Sequence, residues 1–299
     1  MNGGRMTAWT AVAVSLVSAA LFAAQASAGK TKVFVSILPQ KYFVERVGGQ
    51  YVEANVLVGP GQSPHTYEPT PKQLAALSDA KVYFRIGIPF ENGIIDKLAG
   101  AFGNIKVVDT RKGIKLLTTT GGDTDEPAGE PDPHTWLDPR LVKVQARTIC
   151  DTLKSIDSAH AADFEKNLAA FNADLDAVDA KIRTALAPLK GRDFFVYHPA
   201  FAYFAAAYGL REVPVEIEGK EPSAKQLAKL VDKAKAQNVR VIFVQPQFST
   251  KSAEAVAQAI GGAVVPMDDL AEDYLTNLEA MAAEIRKVLA PQGGQAPEK

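Results

Sequence analysis

Only one cysteine, Cys150, occurs in 299 residues. A single thiol makes no internal disulfide. In the helical run after Pro139, with no second soft ligand near it, Cys150 reads as a small buried residue and not as a metal ligand. Charge of one sign is equally scarce: 33 Lys and Arg stand against 34 Asp and Glu, a formal net charge of -1. A basic face for nucleic acid is therefore excluded. After the first 28 residues no apolar run approaches the roughly 18 residues of a membrane span. No His-Glu-x-x-His helix is present, which removes that class of metallohydrolase. Histidine itself is rare, with four in the chain. None of them falls in 118–130, a polar, Gly-rich, acidic stretch that reads as a mobile loop.

The first 28 residues carry one positive charge, Arg5, then an apolar run from Ala8 to Ala24, then Ala26-Ser27-Ala28. That is the pattern of a secretory signal peptide with a small-x-small cleavage site. Cleavage near Ala28 leaves a chain beginning at Gly29. With no cysteine there, no lipid anchor forms, and the expected place is the periplasm.

What is present is concentrated around three of the four histidines. Asp132-Pro133-His134-Thr135-Trp136-Leu137-Asp138-Pro139 sets an imidazole between two prolines and beside two carboxylates. Pro133 has no backbone donor and biases Asp132 away from helix. Asp138 reads as an N-cap and Pro139 as the first helical residue. Pro64-His65 lies in the Gly- and Pro-rich stretch 59–69, and His198-Pro199 ends the apolar run 193–197. With proline near ~5% of residues, three of four histidines touching one has odds of about one in a hundred by accident. His160, in 158–163, reads as a solvated residue at a helix start.

Along the chain, strands alternate with helices. Strands are expected at 32–38, 51–58, 81–87 and 105–108, with helices at 39–47, from Pro71 onward and at 91–98 between them. Thr70-Pro71-Lys72-Gln73 and Ser223-Ala224-Lys225-Gln226 are capping-box signatures. Residues 159–186 form the longest helical pattern, closed by Pro188; about 28 residues at 1.5 Å each reach roughly 40 Å. The alternation then resumes: strands at 194–197, 213–217, 239–244 and 263–267, helices at 199–208, 224–237, 250–260 and 274–289. The expected fold is α/β, two lobes with mainly parallel sheets joined by one long backbone helix. The expected units are a signal peptide at 1–28, an N-terminal lobe at 29–158, the linking helix at 159–188, a C-terminal lobe at 189–290 and a disordered tail at 291–299. The histidines sit just past strand ends or in the loops there, where open α/β sheets bind ligands.

Imidazoles with a carboxylate pair, Asp268-Asp269, at a strand end make a ligand set for a first-row divalent metal. A site built from both halves lies in the cleft between them. Residues 63–71, 132–139, 196–201 and 267–271 together resemble the zinc/manganese solute-binding proteins of ABC importers, cluster A-I. The resemblance spans the chain after residue 28. It implies two lobes around a long helix, a metal between them and, residue by residue, the ligands His65, His134, His198 and Asp268. Asp268 takes the first place of the family's Asp-x-Leu/Ile motif, with Asp269 as the neighbour that can exchange with it. The implied function is capture of a divalent metal and its delivery to an inner-membrane permease by a monomer, with no catalysis. Three imidazoles and one carboxylate favour Zn2+, with Mn2+ or Fe2+ as the alternatives. A secreted zinc hydrolase is the runner-up, although a four-ligand site holds metal and does not turn it over.

Overall fold

The computed structural model describes residues 29–290 apart from 102–104, 119–128, 217–222 and 249. The expected signal peptide, the tail at 291–299 and most of the 118–130 loop lie outside the described residues.

The chain runs β1 (Thr31–Val35), α1 (Leu38–Gly48), β2 (Val52–Val56), α2 (Pro71–Ser78), β3 (Val82–Arg85), α3 (Phe90–Ala101), β4 (Lys106–Asp109), α4 (Pro139–Ile156) and α5 (Ala161–Leu186). It continues with β5 (Asp193–Val196), α6 (Ala202–Tyr208), β6 (Arg211–Pro214), α7 (Ala224–Ala236), β7 (Val241–Val244), α8 (Lys251–Ala259), β8 (Ala263–Pro266) and α9 (Tyr274–Leu289). Two four-stranded sheets result, ordered β2-β1-β3-β4 and β6-β5-β7-β8. Every strand pairing is parallel. Both sheets therefore have the same topology.

Central strands read as apolar runs because helices cover both of their faces. In β1, Val33 and Val35 are wholly buried, and in β3 so are Val82, Tyr83 and Phe84. The edge strand β4 is exposed at its first two residues. Both capping boxes form: Thr70 and Ser223 each accept from the backbone N–H of the glutamine three residues on, which bonds back. Asp138 caps α4, accepting from the N–H of Arg140, with Pro139 at the first helical position.

α5 buries Phe164, Leu168, Phe171, Leu175, Val178, Ile182 and Leu186. The spacing of three and four puts them on one stripe. Full burial of each is worth roughly 1.5–3 kcal/mol. The helix packs against α1, α4 and α9. The helix is thus a packed spine, not a bare rod, and the larger apolar core runs without a break from Val33 through Phe171 to Phe201 and Ile285. A smaller core, with Phe195, Ile242 and Val256, belongs to the C-terminal half alone.

Two local expectations need correction. Pro199 does not open a helix: Ala200 N–H donates to His198 O, and α6 starts only at Ala202. The reason is tertiary, since Phe201 N–H is drawn to the Glu212 carboxylate at 2.7 Å. His160 is not simply solvated. Its ring stacks on Tyr51 at 3.8 Å and 20°, and its Nδ1 is 2.6 Å from Asp157 Oδ2.

Candidate metal centre

His65 is presented by the loop between β2 and α2. Gly61, at φ +73, makes the turn that a side chain would strain. Gln73 ties the loop's two ends together: its side chain closes the Thr70 cap, and its Nε2 donates to Leu57 O at 3.0 Å. Tyr67, buried, anchors the loop edge-on against Phe90 at 5.0 Å.

His134 lies on the stretch between the 118–130 loop and α4, yet it is fastened to the C-terminal half. Tyr203 OH donates to Asp132 O (3.0 Å), Trp136 Nε1–H donates to Asp269 O (2.8 Å), and Tyr274 OH donates to Trp136 O (2.6 Å). The backbone N–H of His134 donates to Asp132 Oδ1 at 2.8 Å, and the ring Nδ1 is 2.7 Å from the same oxygen. His198 follows β5. Gln245 brackets its backbone, accepting from its N–H and donating to its carbonyl. Its Nδ1 is 2.7 Å from Glu216 Oε2.

In both buried rings a carboxylate holds Nδ1–H, which leaves Nε2 as the free lone pair. This is the outer arrangement of histidines that bind metal. Nε2 of His198 is buried and has no hydrogen-bond partner among the described residues. Such an orphan in a folded interior calls for a ligand.

The three rings converge. Centroids of His65 and His198 are 4.4 Å apart, those of His134 and His198 5.4 Å, and those of His65 and His134 6.3 Å. One nitrogen from each lies within 4.8 Å of the others. Between them is a cavity of about 10 Å³ walled by Ile88, Trp136, Phe248 and Leu270. That is space for a single water-sized sphere.

Asp268 is not brought into this cluster. Its Oδ1 accepts from Gln247 Nε2 and from Leu270 N–H, each at 2.9 Å, and it lines a separate cavity of about 230 Å³. Asp269 lines the histidine cavity instead and is buried. Burial pushes its carboxyl up to about 7, against the pull of His134.

Charge is arranged unevenly over the rings. Desolvation, then the two neighbouring imidazoles, holds His65 down to about 3, although the residue stands exposed at the cavity mouth. Burial lowers His198 against the opposing Glu216. Burial works the same way at His134, but Asp132, with Asp269 and Glu212 behind it, outweighs it and leaves that ring raised. His65 and His198 are therefore neutral at pH 7, the form that binds a metal.

Reading the sequence singled out the histidines and Asp132 but missed Glu216. A charged residue directly after Val213-Pro214-Val215 is the signal that it carries a polar partner into the interior. Replacing Glu216 by Gln keeps an acceptor for Nδ1–H and removes the charge that makes the ring more basic. Metal affinity should fall roughly tenfold. Competition with a chromophoric chelator measures it, and an unchanged affinity would remove Glu216 from the site.

Cys150 is buried, and burial pushes its thiol up to about 11. Asp151 and Glu165 are close to it, but Glu165 is already held by Arg147 and Lys154.

Residues 33–288 match the family described as "Zinc-uptake complex component A periplasmic". The chain is 30% identical to the high-affinity zinc uptake system protein ZnuA of Bacillus subtilis, over 87% of this chain and 82% of that one. It is 29% identical to a putative metal-binding protein of Chlamydia muridarum, over 84% and 89% of the two chains. Among solved structures, a crystal structure of ZnuA is 44% identical with a TM-score of 0.83, covering 87% of this chain and all of that one (100%). A zinc-bound deletion mutant of ZnuA is likewise 44% identical, with a TM-score of 0.82 over 88% and 99% of the chains. The two-lobed α/β fold and the long central helix have their counterpart in that group, and the chain belongs to the family of periplasmic zinc-uptake components, the solute-binding proteins of ABC zinc importers.

Proposed function

We propose that this chain captures one zinc ion with His65, His134, His198 and a carboxylate of the Asp268–Asp269 pair, and releases it to an inner-membrane permease. The observation that carries the reading is the pair of carboxylate-held imidazoles, His134 and His198, which come together with His65 around one cavity. Three imidazoles suit zinc over manganese, which prefers oxygen ligands and more of them. The protein acts as a monomer, outside the cytoplasm, and performs no chemistry on the ion.

The same group of residues accounts for how a loaded chain differs from an empty one. An ion held by the β2–α2 loop and by groups fastened to the C-terminal half favours the arrangement in which they meet. It also stabilises the fold, because the unfolded chain scatters the ligands.

Which aspartate completes the set is settled by comparing Asp268→Asn with Asp269→Asn. The placement described above predicts the larger loss of zinc affinity at Asp269, which faces the imidazoles. A larger loss at Asp268 would show that it leaves Gln247 and Leu270 N–H to reach the ion, as the family resemblance implies. The function as a whole is tested by titrating the metal-free protein with zinc and by growth of a deletion strain in zinc-poor medium. Binding of one equivalent, and rescue by the wild-type gene but not by a His134→Ala, His198→Ala variant, is expected. Tight binding without rescue would sink delivery to a permease.

A further inference from the structure

Phe248 has no role among the ligands, yet it lies against two of the three histidine rings. It sits in the turn after β7, where its N–H donates to Gln245 O at 3.1 Å. Gln245 is the residue that brackets the backbone of His198. The phenyl ring lies parallel to the His198 ring, with centroids 4.8 Å apart and planes at 20°. It is 6.3 Å from the His65 ring and 5.7 Å from Tyr197. One side chain thus backs one ligand ring, approaches a second and is positioned by the residue that holds the first.

The imidazoles by themselves choose poorly among metals. Affinity of a nitrogen-rich site rises in a common order from manganese to copper whatever the protein. Selection must then come from geometry, and above all from how many ligands the ion is allowed. Zinc is content with four, whereas manganese favours six, with water making up the number. The cavity between the rings has about 10 Å³ of free space, which the ion itself would take. Apart from the histidines, Asp269 and Gln247 its lining is apolar, so an added water finds few hydrogen-bond partners. Ile88, Trp136 and Leu270 supply three of its apolar walls. Ile88 and Trp136 are fully buried in the main core, and Leu270 is buried as well. Phe248 is only half-buried and stands on a turn, so it is the wall whose removal opens the site to solvent.

We propose that Phe248 is a specificity-determining residue: by stacking on His198 beside His65 it fills the volume that further water ligands need, and so holds the bound ion at four-coordination. The inference rests on the reading of the three histidines as ligands. It goes beyond that reading in assigning metal choice to an apolar side chain that does not coordinate.

Cobalt(II) absorption tests it, because four-coordinate cobalt gives much more intense visible bands than five- or six-coordinate cobalt. Wild type should bind one cobalt with intense bands. Phe248→Ala should also bind one cobalt, with weakened bands, and its preference for zinc over manganese in competition should fall about tenfold or more. Phe248→Leu, which keeps a bulky apolar wall, should stay near wild type in both. Bands and metal preference in Phe248→Ala equal to those of wild type would overturn the proposal. If Phe248→Ala does not fold, Phe248→Val is read against the same two outcomes. Failure of the histidine reading looks different: wild type would bind no cobalt at one equivalent, or would bind it undiminished after His198→Ala.

Discussion

Zinc affinity should fall by roughly a hundredfold or more when His134 or His198 is replaced by alanine. A structural zinc site of four ligands is worth about 10–16 kcal/mol, so one ligand carries roughly 3 kcal/mol, or about two powers of ten in affinity. Both rings are buried, at 4% and 5% exposure. Each variant also takes the ring donor from a buried carboxylate: Asp132 keeps the backbone N–H of residue 134, whereas Glu216 loses its Nδ1–H partner. Removing one partner of a buried charged pair is costly, so stability without metal should drop as well, more for His198→Ala. His65→Ala should lose affinity by a similar factor with little loss of stability, because His65 is exposed and its loop is held by Gln73 and Tyr67. His160→Ala is the control. It gives up the Tyr51 stack and should leave zinc binding alone. Competition titrations on all four variants check this ordering. A His160 variant that lost zinc as badly as the others would show that the site is elsewhere.

Trp136→Ala should destabilise the metal-free protein by about 3–5 kcal/mol, the range for an aromatic side chain removed from a packed interior. Trp136 is 1% exposed and is the largest of the fully buried side chains. Its loss also leaves Asp269 O without the indole donor, which adds about 1–3 kcal/mol for an unsatisfied buried acceptor. For a chain of this size each kcal/mol lowers the melting temperature by roughly 2–4 °C. Affinity for zinc should fall too, since the indole lies 5.0 Å from the His134 ring and its N–H fixes the backbone of Asp269. Trp136→Phe separates the two effects: packing is mostly kept and the hydrogen bond is lost. Urea unfolding in the presence of chelator, followed by zinc titration of the folded fraction, measures both. A change below about 1 kcal/mol for Trp136→Ala would mean that the 132–139 stretch is not the joint between the two halves.

Much of this protein could be read from its residues because the deciding interactions are local. The two capping boxes, the Asp138 cap and Pro139 depend on residues within three places of one another. The helix 161–186 depends on a stripe of seven apolar residues with no interior glycine or proline. The central strands are apolar runs because both their faces are covered. Even the three clustered histidines stood out locally, through the prolines beside them. What needed the tertiary structure depends on partners far away in sequence. Adjacent aspartates at the end of β8 point into different cavities, and only the packing of Gln247 and Trp136 against them decides which one meets the imidazoles. Glu216 finds His198 across 18 residues, and Phe248 stacks on that same ring from 50 residues further on. Pro199 fails to begin a helix because Glu212, on a neighbouring strand, takes the N–H of Phe201. His160 is paired with Tyr51 because the start of α5 packs on the turn before β2. Local sequence settled which residues are stiffly presented; the burial of one side chain against another, chosen only when the sheets and the long helix dock, decided what each presented residue faces.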